Sequence, residues 1–159
     1  MKKCRFIPVV SCAAVLSLTA GCALSQTETD TGAPLARQIG QSSHCGLTAP
    51  GHVVLRSTTD VDRLEQLPAR TLSLAPLREL DFSREHVVLA ALGQKPTGGY
   101  GVMLADSEIV DGRLDLSVTV KAPEPGAMVP QMITTPCAVI AVTAEGWDGL
   151  RVMPVQNNR

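Results

Sequence analysis

The chain is poor in aromatic side chains and carries almost no net charge. Of its 159 residues, two are Phe, one is Tyr and one is Trp, and 14 basic side chains stand against 15 acidic ones. Nucleic-acid binding needs a basic face and rings that stack on bases, so this composition argues against a nucleic-acid partner. The length excludes a Rossmann pair or a TIM barrel and predicts one domain, with or without a tail.

The chain also lacks the motifs of common catalytic and metal sites. It contains no G-x-S-x-G, H-E-x-x-H, C-x-x-C or P-loop pattern. None of its three histidines, His44, His52 and His86, has a partner at metal-ligand spacing. We therefore expect a protein that is not an enzyme and that holds no cofactor and no metal. The alternative, an unrecognised envelope hydrolase, needs a base, a nucleophile and oxyanion donors that converge in a cleft.

The N-terminus of the chain does have the features of a secretory signal peptide. Residues 1–5 are basic, and residues 6–20 form an uncharged, mainly apolar run that is too short to span a bilayer as a helix. The segment Leu18-Thr19-Ala20-Gly21-Cys22 resembles the lipobox of bacterial lipoproteins. That resemblance implies a signal peptide over 1–21 and lipidation of Cys22, which becomes the mature N-terminus. The alternative is an ordinary cleaved signal with an incidental cysteine.

Cleavage before Cys22 changes the charge balance of the protein. It removes Lys2, Lys3 and Arg5 and leaves 138 residues with 11 basic and 15 acidic side chains, a net charge of −4. We expect the membrane contact to come from acyl chains such as palmitate, at about 0.8 kcal/mol per buried CH₂, rather than from charge. Ala23 follows the cysteine, which favours the periplasmic side of the outer membrane if the cell is Gram-negative.

Two cysteines remain in the mature chain beside the one that carries lipid. Cys45 and Cys137 are 92 residues apart, and an oxidising compartment favours a disulfide between them. Closing a loop of that length stabilises a protein by about 4–5 kcal/mol in the chain-entropy model. The alternative is two buried free thiols.

The mature chain divides into a tether and a domain. Residues 22–38 are mostly small or polar and predict a flexible tether, whereas 39–159 predict a single β-rich domain. One short helix is expected from about Thr59, as its N-cap, to the stop at Pro68. Six or seven short strands are expected, at 52–57, 87–92, 99–105, 114–120, 137–143 and 150–155, with 108–110 leading into a turn and 131–135 as a candidate for pairing at an edge. This pattern predicts a mainly β fold, an antiparallel β-sandwich or an open barrel.

One hairpin is predicted in more detail than the rest. Asp111-Gly112 is a typical two-residue turn between strands. After it, apolar and polar residues alternate with a period of two, which predicts one dry face and one wet face. The dry face would hold Leu114, Leu116, Val118 and Val120, and the wet face Asp115, Ser117, Thr119 and Lys121.

Two loops are candidates for recognition. Residues 93–100 join two predicted strands and combine a proline with three glycines, and residues 121–132 are rich in proline. Recognition residues often sit on loops that a rigid sheet holds in place. The alternative is two structural hairpin loops with Tyr100 and Met132 in the core. The candidate partner-binding residues are Lys95, Pro96, Thr97, Gly98, Gly99, Tyr100, Pro123, Pro125, Gly126 and Met128.

These loops carry a family resemblance. The K-P-T-G-G-Y motif at 95–100, followed by Pro123-x-Pro125-Gly126 and by Thr135-Pro136-Cys137, resembles the C-terminal domain of the PrcB family over about residues 85–142. Members of that family are lipoprotein or secreted subunits associated with a protease complex, and the founding member binds and stabilises its protease. The resemblance therefore implies a non-catalytic domain with a protein partner in the envelope, such as a protease.

The first loop has a second, weaker resemblance. Lys95 to Tyr100 is similar to the N-P-T-T-G-Y/F loop of chagasin-type cysteine-protease inhibitors, with Lys95 and Gly98 in place of the first Asn and the second Thr. This resemblance implies a β-sandwich that inserts a loop into a protease cleft. Our leading expectation is a membrane-anchored lipoprotein that acts as a non-catalytic protein-binding module, and a loop-inserting inhibitor is the alternative.

Overall fold

A computed structural model describes residues 34–155. The predicted signal peptide, the lipidation site Cys22 and most of the predicted tether lie outside the described residues. Within 34–155, no helix combines the length and the apolar character needed to cross a bilayer.

Seven strands and two short helices make up the described part of the chain. In chain order they are β1 (Ala36–Ser42), β2 (Pro50–Leu55), α1 (Thr58–Glu65), α2 (Ala75–Arg78), β3 (Glu85–Leu92), β4 (Gly101–Val110), β5 (Arg113–Lys121), β6 (Cys137–Thr143) and β7 (Gly149–Val155). The first sheet has the strand order β1-β6-β3-β2 and the second has β4-β5-β7. The mainly β class is therefore confirmed, as two sheets that do not close into a barrel.

The central strands of the first sheet are buried on both faces. In β3, Val87 and Leu89 pack toward the helices, and Val88 and Ala90 pack toward the second sheet. Since side chains alternate across a strand, burial on both faces requires a continuous apolar run rather than an alternating one. This requirement explains the uninterrupted apolar stretches of β3 and β6. Residues 34–155 thus form three layers, which are the helices with their loops, the first sheet and the second sheet.

The disulfide predicted from the two mature cysteines is present. Cys45 and Cys137 are bonded, with their Cα atoms 6.1 Å apart, and both side chains are buried in the cluster beneath the helices. The bond joins the loop after β1 to the first residue of β6.

The N-cap of helix α1 lies two residues earlier than predicted. Ser57, not Thr59, is the N-cap, and its hydroxyl accepts a hydrogen bond from the backbone N–H of Asp60. The Asp60 carboxylate in turn accepts from Arg56 N–H and from the Ser57 hydroxyl, and these bonds lower the pKa of Asp60. The prediction of one helix was also wrong, because the four-residue α2 buries Leu77 against the same core.

The β4–β5 hairpin confirms the predicted turn. Asp111 and Gly112 both have positive φ, 50° and 74°, which is the geometry of a two-residue turn that matches the twist of its strands. The strands predicted at 99–105 and 108–110 are one strand, β4, with a register shift between Leu104 and Asp106.

The dry and wet faces of β5 need two corrections. Val120, the next-to-last residue of the strand, is 40% exposed. Asp115 was expected on the wet face, but only 3% of it is exposed. Its carboxylate lies 2.7 Å from Arg113 Nε and 2.5 Å from Arg151 Nη2, and the two guanidiniums cover it. These hydrogen bonds hold the pKa of Asp115 well below its usual value.

Two further expectations about strands were wrong. Strand β7 runs parallel to β5, so the second sheet is mixed rather than antiparallel. The reason is that β6, which lies between them in the chain, belongs to the other sheet, and the chain returns in the direction of β5. Residues 131–135 form only isolated bridges, Lys95 with Thr134 and His44 with Thr135.

The predicted end of the tether also moves. Strand β1 begins at Ala36, so residues 36–38 of the predicted tether 22–38 are part of the first sheet. Arg37 and Gln38 pair with Ala141 and Ile140 of β6. The composition of this segment is typical of a linker. It is nevertheless a strand, because its backbone pairs with that of β6 from Ala36 to Ser42.

Candidate functional site

The two candidate loops meet at one end of the molecule because of the strand order. Residues 93–100 connect β3 to β4, and residues 122–136 connect β5 to β6. Since β3 pairs with β6 and β4 pairs with β5, both loops cross between the sheets at the same end. We call residues 94–100 the inner loop and residues 122–134 the outer loop.

Main-chain hydrogen bonds join the two loops. Lys95 N–H donates to Thr134 O at 2.8 Å and Lys95 O accepts from Thr134 N–H at 2.9 Å, while Gly98 N–H donates to Pro130 O at 2.8 Å. The Thr134 hydroxyl adds a bond to Thr97 O at 2.9 Å. The structure thus brings three of the predicted residues of the inner loop against the outer loop, and the pair forms one unit.

The glycines of the inner loop are needed for this close approach. Gly99 has a φ of +86°, and a Cβ there would lie 3.0 Å from Val129 Cγ1 and 3.1 Å from Pro123 Cβ. A Cβ on Gly98 would lie 3.0 Å from Pro130 Cδ. Positive φ and the lack of room both favour glycine at Gly99.

The inner loop is partly covered by the outer one. Gly98 is buried, and Thr97 and Tyr100 are half-buried. The Lys95 ammonium lies 5.7 Å from the centre of the Tyr100 ring, a distance typical of a cation–π contact. Tyr100 is thus neither a core residue nor a fully exposed anchor.

The outer loop presents apolar side chains to solvent. Met128 is fully exposed, Met132 is 50% exposed and Ile133 is 60% exposed; we call these three residues the apolar tip. Pro123 is half-buried, whereas Pro125 and Gly126 are exposed on the same loop. Met128 was predicted here, but the alternative that placed Met132 in the core was wrong. The sequence analysis did not identify Ile133. The signal that could have found it is the adjacent apolar pair Met132-Ile133 shortly after Pro130, which lacks the apolar–polar alternation of a half-buried strand.

The three histidines lie in different parts of the fold: His44 bridges to Thr135 in the connection between β5 and β6, and the other two lie on β3 and β2. His86 Nδ1 lies 3.2 Å from Glu85 O, and its ring meets Trp147 edge to face at 6.3 Å. His52 lines a cleft between β2 and β7. Within residues 34–155, no group of three His, Cys, Asp or Glu side chains is arranged to hold a metal ion.

Comparison with known proteins locates one family segment in the chain. Residues 86–143 match the family model described as PrcB C-terminal, which confirms the resemblance carried by the K-P-T-G-G-Y motif. The matched segment runs from β3 to the end of β6 and contains both loops. No curated protein and no solved structure matches the chain.

Proposed function

From the PrcB C-terminal segment at 86–143, we propose that this chain is a lipid-anchored envelope protein that acts as a non-catalytic binding module for another envelope protein, a protease. The lipid on Cys22 would place it at the membrane, on the periplasmic side of the outer membrane in a Gram-negative cell. The observation that carries the proposal is the apolar tip, which lies within the matched segment on a loop fixed by its neighbour.

The apolar tip supports binding because its side chains are exposed to solvent in the free protein, and a partner would bury them. Burying a Met or Ile side chain fully contributes about 1.5–3 kcal/mol. Part of this gain is usually lost to ordering of flexible segments on binding. Here the bonds at Pro130 and Thr134 already hold the part of the outer loop that carries Met132 and Ile133, so less of the gain is lost there.

Binding of this kind stabilises the partner by mass action. A partner that binds only the folded protease adds RT ln(1 + [L]/Kd) to its free energy of unfolding, about 2.7 kcal/mol at a hundredfold excess over Kd. The chain therefore needs no catalytic group of its own to affect the protease.

The partly covered position of the inner loop, in which Gly98 is buried and Pro96 and Gly99 are exposed, favours this function over a loop-inserting inhibitor. Insertion into a protease cleft requires the K-P-T-G-G-Y segment to project from the fold. Gly98 is instead buried beneath Pro130, and the outer loop is the projecting one. The two functions predict opposite effects on a protease, so activity measurements separate them.

The test is recovery of the partner by the lipidated full chain from its native envelope, read by mass spectrometry. Met132→Glu puts a charge on the apolar tip, and Met103→Glu is the matched control, since Met103 is 46% exposed on β4. We expect Met132→Glu to reduce recovery at least about tenfold, because binding would bury an unpaired charge, and Met103→Glu to leave it unchanged. Equal effects of both substitutions, or no protein recovered by the wild-type chain, would contradict the proposal.

The sign of the effect is measured on the recovered protease. We expect its half-life at elevated temperature to increase when the chain is added, with turnover of a peptide substrate unchanged. A fall in turnover that saturates with added chain would instead establish the inhibitor.

A second pair of variants tests whether the two loops act as a unit. Gly99 and Gly126 have similar positive φ, but only Gly99 is crowded, by Val129 and Pro123. We expect Gly99→Ala to displace the outer loop and weaken partner recovery several-fold, whereas Gly126→Ala carries the backbone strain alone. If both variants weaken binding equally, the contact between the loops has no part in recognition.

A further inference from the structure

A cleft separates the two sheets along one side of the molecule. Strand β2 ends the order of the first sheet and β7 ends that of the second, and between them lies a cavity of about 390 Å³. Its apolar lining comes from both sheets and includes Leu92, Val118, Val120 and Val152. Volume and lining are those of a site for a small ligand.

Two polar side chains line the cleft, and one of them, Lys95, carries a positive charge. Lys95 and His52 are the lining residues with a nitrogen-bearing side chain, and no carboxylate lines the cleft. The whole chain has slightly more acidic than basic residues, so a lining without acidic groups is a local feature. A ligand with a negative group fits this charge pattern, and a cation does not.

The lining of a second cavity differs from that of the cleft. The cavity of about 510 Å³ beside the start of β1 is lined by Asp81, Arg84, Glu85 and Glu145 among others. Charges of both signs line it, and it offers no continuous apolar wall. It does not favour the same ligand.

We propose that the cleft between β2 and β7 binds a small amphiphile with one aliphatic chain and a carboxylate, a fatty acid of medium length. The chain would lie between the sheets against Val118 and Val120. The carboxylate would draw the Lys95 ammonium, which lies 5.7 Å from the centre of the Tyr100 ring, toward the cleft that Lys95 lines. Val120 is 40% exposed on the side of β5 that otherwise faces the core, and an aliphatic chain would cover it.

The edges of the cleft favour this ligand over an added peptide strand. Pro50 lies in β2 and Pro154 in β7, and both line the cleft. A proline has no N–H for a ladder of hydrogen bonds, so these edges are poor acceptors of an extra strand. An aliphatic chain needs no such bonds.

The test uses the full chain carrying Cys22→Ser, which removes the predicted lipid acceptor, with methyl-labelled valines observed by NMR. The probe is dodecanoate below its micelle concentration, and dodecyltrimethylammonium is the cationic comparison. We expect saturable shifts of the Val118 and Val120 methyls with dodecanoate, no shift at Val53, and weaker binding of the cation. Absence of saturable shifts at Val118 and Val120, or equal binding of the cation, would overturn the proposal.

Two pairs of variants locate the ligand. Val120→Asp is matched by Val53→Asp, because Val53 is 37% exposed and does not line the cleft. We expect at least about tenfold weaker dodecanoate binding for Val120→Asp and no change for Val53→Asp. Lys95→Met is matched by Lys121→Met, which lies outside the cleft, and we expect about two- to fivefold weaker binding for Lys95→Met alone.

The remaining outcomes also decide the matter. Equal effects within either pair would overturn the proposal, since the site would lie elsewhere. A peptide with an apolar C-terminal residue that shifts the same methyls, while dodecanoate does not, would assign the cleft to a protein segment and overturn it too.

Discussion

The two sheets are joined along one side and separated along the other. On the closed side, β1 packs against β4, and Gln38 Oε1 of β1 accepts a hydrogen bond from Leu104 N–H of β4 at 2.9 Å. On the open side, β2 and β7 leave the cleft lined by His52 and Val152. The Gln38 side chain thus bridges the two sheet edges on the closed side, whereas a cleft separates the edges on the open side.

The disulfide between Cys45 and Cys137 also lies on the closed side. Cys137 begins β6 opposite Ser42 of β1, and Cys45 follows β1 by three residues. The open side has β7 as its outer strand, held by its parallel pairing with β5 and by the ion pair of Arg151 with Asp115. Because stability is unevenly distributed in most proteins, we expect the open side to unfold first.

The largest effect is expected from removing the disulfide. In the Cys22→Ser background, Cys45→Ala with Cys137→Ala should lower the free energy of unfolding by about 2–5 kcal/mol, because the unfolded chain loses a 92-residue loop constraint. Chemical denaturation measures it, with the parent chain under reducing conditions as a second route to the same state. A loss below about 1 kcal/mol would mean that the closed side does not depend on this bond.

Features that depend on neighbours in the chain could be predicted from the sequence, whereas features that depend on long-range pairing could not. Asp111-Gly112 is a local turn signal, and Cys45 and Cys137 are the two cysteines that remain after the predicted signal peptide and the predicted lipidation site are set aside. Apolar periodicity located the buried face of β5 at Leu114 and Leu116. Each of these features depends on neighbouring residues or on the number of cysteines, and one sequence is enough to show both.

The errors share a cause in long-range pairing. Asp115 was assigned to the wet face because Arg151, which helps to cover it, is 36 residues away on a strand whose direction was wrong. Gln38 was assigned to a tether because its partner Leu104 is 66 residues away. The candidate site follows the same rule. Its loops were found from composition, but the burial of Gly98 beneath Pro130 depends on strand order.

The next largest effect is expected from acid, and it should appear on the open side. Folding lowers the pKa of Asp115 below its ordinary value of 3.8, chiefly through the hydrogen bond from Arg113 and then that from Arg151. The folded state thus binds fewer protons than the unfolded state. The resulting stability is fully present above pH 3.8 and is lost as the pH falls through the lowered pKa.

Asp115→Asn isolates this contribution from the other carboxylates whose pKa is lowered, Asp60 and Asp81. We expect the variant to be less stable than wild type at pH 7, with the difference shrinking as the pH falls below 3.8. Denaturation midpoints across this range measure it, and Asp111→Asn in the exposed turn is the control. Hydrogen exchange at the lowest pH should show β7 losing protection before β6, and the reverse order would break the comparison of the two sides.

The smallest effect tests the bridge itself. Gln38→Ala removes the acceptor for Leu104 N–H, and a hydrogen bond of this kind contributes about 0.5–1.5 kcal/mol. His52→Ala on the opposite edge is the counterpart, and as a surface change it should stay within about 0.5 kcal/mol. Chemical denaturation gives both values, and hydrogen exchange at Leu104 reports the bridge directly. If Leu104 keeps its protection without Gln38, β1 and β4 are held together by packing alone, and the side-chain bridge does not distinguish the closed side from the open one.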